Sequence, residues 1–136
     1  SDAFISDFPT GEWTDSAKDQ RDDLVGRLAD RHYETAALYL KMDEPQAATI
    51  YFKLLFSEYP DSKRIPAARI EIAKAYALLD QFDLARESLD SLKLDSTKAA
   101  PLAERISRAE KFISKCRRKF EARREREAEQ ARQDKL

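Results

Sequence analysis

From Leu24 to Leu40 the apolar side chains return every three or four residues: Leu24, Val25, Leu28, Ala29, Tyr33, Ala36, Tyr39 and Leu40. That spacing marks an amphipathic helix and predicts a first helix from about Ser16 to Met42. Asp43, Glu44 and Pro45 then read as a helix start, with an acid near the cap and Pro in the first turn. The second helix carries Ala48, Tyr51, Phe52 and Leu55 on one face and stops at Tyr59 and Pro60. Pro66 opens a third helix with Ile65 at its start and Ile72, Ala73, Tyr76 and Leu79 on one stripe. After a turn at Asp80 and Gln81, a fourth helix presents Phe82, Ala85, Leu89 and Leu92.

Sliding the chain on itself by about 37 residues places Ala36 on Ala73, Tyr39 on Tyr76, Ala48 on Ala85, Phe52 on Leu89 and Leu55 on Leu92. Small residues fall on small ones and large on large, so the four helices read as two copies of one helix pair. The small residues let antiparallel helices approach closely, and the large ones fill the space around that contact. This spacing resembles the tetratricopeptide repeat, and Pro60 takes the place where that pattern ends its second helix. In the second unit Thr97 stands where Pro60 stands in the first, so the end of the fourth helix is less sharply set.

From about Thr97 a fifth helix is expected, with Pro101 in its first turns and Leu102, Ile106, Ala109, Ile113, Cys116 and Phe120 on one stripe. Such a stripe would cover the fourth helix, as a terminal helix must in a stacked array. Beyond Phe120 only small residues and Leu136 remain to bury, which predicts an exposed helical extension fraying to disorder. The expected fold is all-α, about two tetratricopeptide-type antiparallel helix pairs with a long C-terminal capping helix. Its expected division is an irregular arm over residues 1–15, helix pairs over 16–96, and the capping helix with its extension over 97–136. The arm carries Phe4, Ile5, Phe8 and Trp13 among acids, and Pro9 and Gly11 interrupt any helix there. Its aromatics are expected to dock on the protein's own flank.

Composition agrees with this pattern: 136 residues with only two Gly and five Pro leave few tight turns, and 38% charged residues imply long solvated helices. The net charge of −1 conceals an acidic start and a cationic end, since from Lys111 onward bases outnumber acids by about two to one. No apolar run reaches the length of a membrane span. Neither a signal peptide nor an N-terminal lipid-acceptor Cys stands in the sequence as given, so a lipid anchor would require residues ahead of Ser1.

Catalytic chemistry finds little to use. The single His, His32, excludes a multi-His metal site and is expected to pack with its ring satisfied. The single Cys, Cys116, excludes an internal disulfide and reads as a small buried thiol. Carboxylate pairs such as Asp22 with Asp23, or Glu125 with Glu129, stand on solvated faces. No enzyme, cofactor or small-molecule substrate is expected. The basic run Arg117, Arg118, Lys119, Arg123, Arg124 and Arg126 could meet phosphates, but Glu121, Glu125, Glu127 and Glu129 are interleaved with it and favour a self-paired solvated helix.

The stretches LVGRLADRHYETAALYLK, YFKLLFSEYPDSKRIPAARIEIAKAYALL and DLARESLDSL resemble the C-terminal repeats of the BamD (YfiO-like) family, tetratricopeptide lipoproteins of bacterial outer-membrane β-barrel assembly. The likeness rests on Leu28 and Ala29 before an acid, Tyr39 to Lys41, the turn Tyr59 to Ser62, Ala75 with Tyr76, and Leu84 with Ala85. It implies a non-catalytic scaffold on the periplasmic face of the outer membrane, anchored there by lipid, that docks onto the barrel-forming subunit. Two other readings stay open. One is a cytoplasmic or periplasmic adaptor holding a peptide against Lys41, Arg69 and Lys74. The other is a nucleic-acid or anionic-surface binder acting through the long helix, where Arg117, Arg118 and Arg123 are the candidate contacts.

Overall fold

Thr14 sets the first helix: its Oγ1 accepts the N–H of Ala17 at 3.1 Å, satisfying a donor that the first turn leaves unpaired. The computed structural model describes residues 14–136. The aromatic arm expected over residues 1–15 therefore lies, as far as Trp13, outside the described residues. Helix α1 spans Asp15–Lys41, α2 Pro45–Glu58, α3 Ile65–Leu78 and α4 Phe82–Lys93. A short helix α5, Ser96–Ala99, and a 3-10 turn, Ala100–Leu102, lead into α6, Ala103–Asp134. The architecture is all-α, built of helix pairs and closed by one long helix.

Pro45 and Pro66 occupy the first turns of α2 and α3, where a missing N–H costs nothing. Glu44 holds the cap position of α2 without a side-chain bond to it. The turns that end α1 and α3 are copies of each other. Asp43 and Asp80 adopt left-handed φ of 59° and 62°. Behind them, the Glu44 and Gln81 N–H groups each donate at 2.9 Å to the carbonyls of Tyr39 and Tyr76, and Asp43 and Asp80 donate at 3.1 Å to Leu40 and Ala77. Each is a Schellman closure with Asp where Gly is usual. The offset that relates the side chains thus relates the backbone as well.

Side-chain contacts fix the directions. Along α1 and α2, Tyr39 stacks on Tyr51 while His32 meets Tyr59, so these helices run antiparallel. Arg69 over Phe56 and Lys53 over Tyr76 show the same for α2 and α3. Arg64, just ahead of α3, donates to Asp30 Oδ1 at 2.9 Å and lies 5.0 Å over the Tyr33 ring, tying the start of the second pair to the middle of α1.

Ala36, Ala48, Phe52 and Leu55 are fully buried, as are Ala73 and Ala85, with Leu89 and Leu92 nearly so. Helix α3 departs from its expected single stripe. It buries Ala68, Ile70, Ile72, Ala73, Ala75, Tyr76 and Ala77 because α2, α4 and α6 all pack around it. Tyr39, expected to fill the core, is half-buried.

The last helix differs from expectation in three ways. Pro101 does not sit inside it; the 3-10 turn absorbs the proline and α6 begins after it. Its apolar stripe lies mainly against α3 and less against α4. Glu71 beside Arg105 and Asp80 beside Arg123 show α3 and α6 running parallel. The reason is a third, partial copy of the repeat: Ile70, Ala73 and Tyr76 recur as Ile106, Ala109 and Phe112. Finally, α6 stays helical to Asp134 although every residue from Glu121 on is exposed. Its good helix formers and ion pairs such as Arg117 with Glu121 at 3.4 Å hold it without a packing partner among the described residues.

Candidate functional site

Two surfaces stand out, one apolar and one cationic. Along the front of α1, Leu38 is 55% and Met42 57% exposed, and Ile50 of α2 is 52% exposed. In the second repeat the counterpart of Leu38 is Ala75, which is 0% exposed on a helix that α2, α4 and α6 all pack against. The α1 face is therefore a stacking face with no helix pair in front of it among the described residues.

The cationic surface is the groove between α3 and α6. Ile70, Ala109 and Phe112 form its apolar floor, and Glu71, Lys74, Arg105 and Arg108 its rim. Lys74 Nζ lies 2.9 Å and Arg105 Nη2 3.7 Å from the same oxygen, Oε2 of Glu71. The sequence reading picked out Lys74 but missed Glu71, Arg105 and Arg108. The recurrence of Ile70, Ala73 and Tyr76 as Ile106, Ala109 and Phe112 was the signal that would have paired them.

The other candidates are scattered. Arg69 lies over Phe56, 5.1 Å from its ring centroid, and so faces α2. Lys41 is exposed in the last turn of α1, where a cation favours the helix dipole. Arg117 covers the Phe82 ring and pairs with Glu121. Arg123 donates to Asp80 Oδ2 at 2.7 Å and lies over Phe120, whose ring meets Phe82 edge-on. Both arginines thus help hold α6 on the α3–α4 turn, while Arg118 is exposed.

His32 packs beside Tyr51 and Tyr59 with Nε2 3.3 Å from Glu58 Oε2. Cys116 is half-buried, and burial pushes its thiol pKa above the ordinary value, with Asp80 adding and Lys119 and Lys115 opposing. A raised thiol pKa is the opposite of what a nucleophile needs. Among the described residues no helix is long and apolar enough to cross a membrane.

A family model described as YfiO, outer membrane lipoprotein, matches residues 1–92. The chain belongs to the YfiO family. The match ends within α4, so both helix pairs fall in it up to Leu92 and α6 lies beyond it. No curated protein matches the chain. The family is one of outer membrane lipoproteins and so of the cell envelope.

Proposed function

We propose that the chain is a non-catalytic, tetratricopeptide-type scaffold of the BamD kind, acting in outer-membrane β-barrel assembly at the periplasmic face of the outer membrane. The YfiO match across the helix pairs carries this reading. The stacking face of α1, with no helix pair in front of it among the described residues, supports it, because Leu38 and Met42, with Ile50 on α2, offer a partner exposed apolar side chains. The partner is a periplasmic domain of the barrel-forming subunit, and membrane attachment comes through a lipid carried ahead of Ser1. Lys41, Arg69 and Lys74 on the repeats and Arg117, Arg118 and Arg123 on α6 are proposed partner contacts. Lys41 and Arg118, exposed and outside the ties that hold the fold, are the first to change.

Site-specific photo-crosslinking in cells, with the probe at Leu38 or Met42 of the natural gene product, tests this reading. The expected adduct is the barrel-forming subunit, and a probe at Gln133 on the exposed extension should not form it. Adducts only with cytoplasmic proteins, or equal adducts from all three positions, refute the reading. A nucleic-acid role is disfavoured by the ion pairs within α6, Arg117 with Glu121 and Arg132 with Glu129, which consume its field.

A further inference from the structure

The groove between α3 and α6 has a volume of about 350 Å³, and more than half of the residues lining it come from the helix that lies beyond the family match. Its chemistry is lopsided. Three cations, Lys74, Arg105 and Arg108, surround one acid, and Glu71 serves two of them through a single oxygen. Arg108 is exposed and forms no ion pair among the described residues. The side chain of Glu71 is 17% exposed against 36% for Lys74 and 38% for Arg105, so the acid lies deep and the cations present their remaining donors outward.

We propose that this groove binds an acidic, extended segment of a partner polypeptide. One Asp or Glu carboxylate sits among Lys74, Arg105 and Arg108, and a neighbouring apolar side chain rests on Phe112. Glu71 shows how a carboxylate is held there, and a second carboxylate takes the guanidinium donors that Glu71 leaves unused. The half-buried Phe112 and the buried Ile70 and Ala109 give an apolar floor that a phosphate or a lipid headgroup does not use. The proposal rests on α3 and α6 alone and stands whether or not the α1 face meets a barrel-forming subunit.

Fluorescence anisotropy with a short labelled peptide alternating Glu and Leu, its ends blocked, tests this on the whole chain. Arg108→Glu should weaken binding about tenfold and Lys74→Gln by a few fold. Removing the resident acid should do the reverse, so Glu71→Gln should tighten binding about threefold. Two controls make the same charge changes elsewhere: Glu125→Gln and Lys135→Glu, both exposed and far along α6 from the groove, should each shift affinity less than twofold, beyond the reach of direct contact. Helical circular dichroism confirms that each variant is folded. Equal effects from the control pair, no binding of the peptide, or tighter binding of inorganic phosphate or an RNA oligonucleotide than of the peptide would each overturn the proposal.

Discussion

Asp43→Gly should stabilise the protein, and its repeat partner Asp80→Gly should not. Both aspartates hold a left-handed backbone, at φ 59° and 62°. An L residue is disfavoured there by roughly 1–2 kcal/mol, less for Asp than for most because its short side chain tolerates the region. Each also sits between the negative end of one helix and the positive start of the next, where two dipole effects of about 0.3–1 kcal/mol oppose each other and largely cancel. Glycine removes the backbone term, offset in part by the greater entropy it gives the unfolded chain, about 0.5–1 kcal/mol. The net gain at Asp43, which forms no ion pair among the described residues, is about 0.5 kcal/mol. At Asp80 the gain is offset, because Arg123 donates to its carboxylate at 2.7 Å with both side chains nearly half exposed, a pair worth up to about 1 kcal/mol. Urea or thermal unfolding reads this directly. Asp43→Gly should raise Tm by about 2–3 °C, Asp80→Gly should leave it unchanged or lower it by up to about 2 °C, and Asp80→Asn, which keeps the backbone tolerance but loses the charge pair, should lower it slightly. A fall in Tm for Asp43→Gly, or equal rises for both glycines, would falsify the account of these turns.

Phe52→Ala should destabilise by about 3–5 kcal/mol, measured by urea unfolding, because the ring is fully buried and meets Tyr33 edge-on; Tyr39→Ala, half-buried, should cost about half as much. Gly26→Ala should add about 0.5–1 kcal/mol in the same assay, since a Cβ there meets nothing within 4 Å and the position lies inside α1. Deleting residues 125–136 should move Tm by less than about 2 °C, whereas ending the chain before Arg117 should lower it several-fold more by removing Phe120 from Phe82 and Arg123 from Asp80. The Cys116 thiol should react with a disulfide reagent more slowly than a free cysteine at neutral pH. Because its folded pKa is raised, the stability it contributes is full below the ordinary thiol pKa and is lost as pH rises towards the folded value; a rate matching free cysteine refutes this.

The helix pairs were legible because their buried positions recur with the same phase. Ala48, Phe52 and Leu55, then Phe82, Ala85, Leu89 and Leu92, are both the residues the pattern selects and residues the fold buries. A stripe says that a face is covered, but not by what. Hence Ile106, Ala109 and Ile113 were recognised as a buried face while their partner was taken to be α4 rather than α3. The groove was illegible for the same reason: Glu71 and Arg105 lie on different helices, and nothing local in either stretch marks them as neighbours. The Asp turns escaped notice because a left-handed closure is normally announced by Gly. Lys74 was found as a cation on a solvated face, yet its significance depends on Arg105 and Arg108, which only the parallel packing of α3 and α6 brings beside it.

The first and last of the described helices are chemically unlike, and that difference is itself testable. At α1 the exposed stripe is apolar, and burying it depends on removing Leu38 and Met42, with Ile50 of α2, from water. At α6 the helix that repeats the first half of a pair is followed by no second half within the described residues. It continues as a charged rod whose last tie to the fold is Arg123 on Asp80. A partner stacking on α1 should therefore hold its affinity as salt rises, because screening leaves apolar burial unaffected. A partner segment in the α3–α6 groove should lose affinity steeply between low and physiological ionic strength, since its attraction acts across partly exposed charges within a Debye length of about 8–10 Å. A salt titration of one complex with probes at Leu38 and at Arg108 separates the two contacts. Parallel loss at both probes would show that the surfaces engage as one.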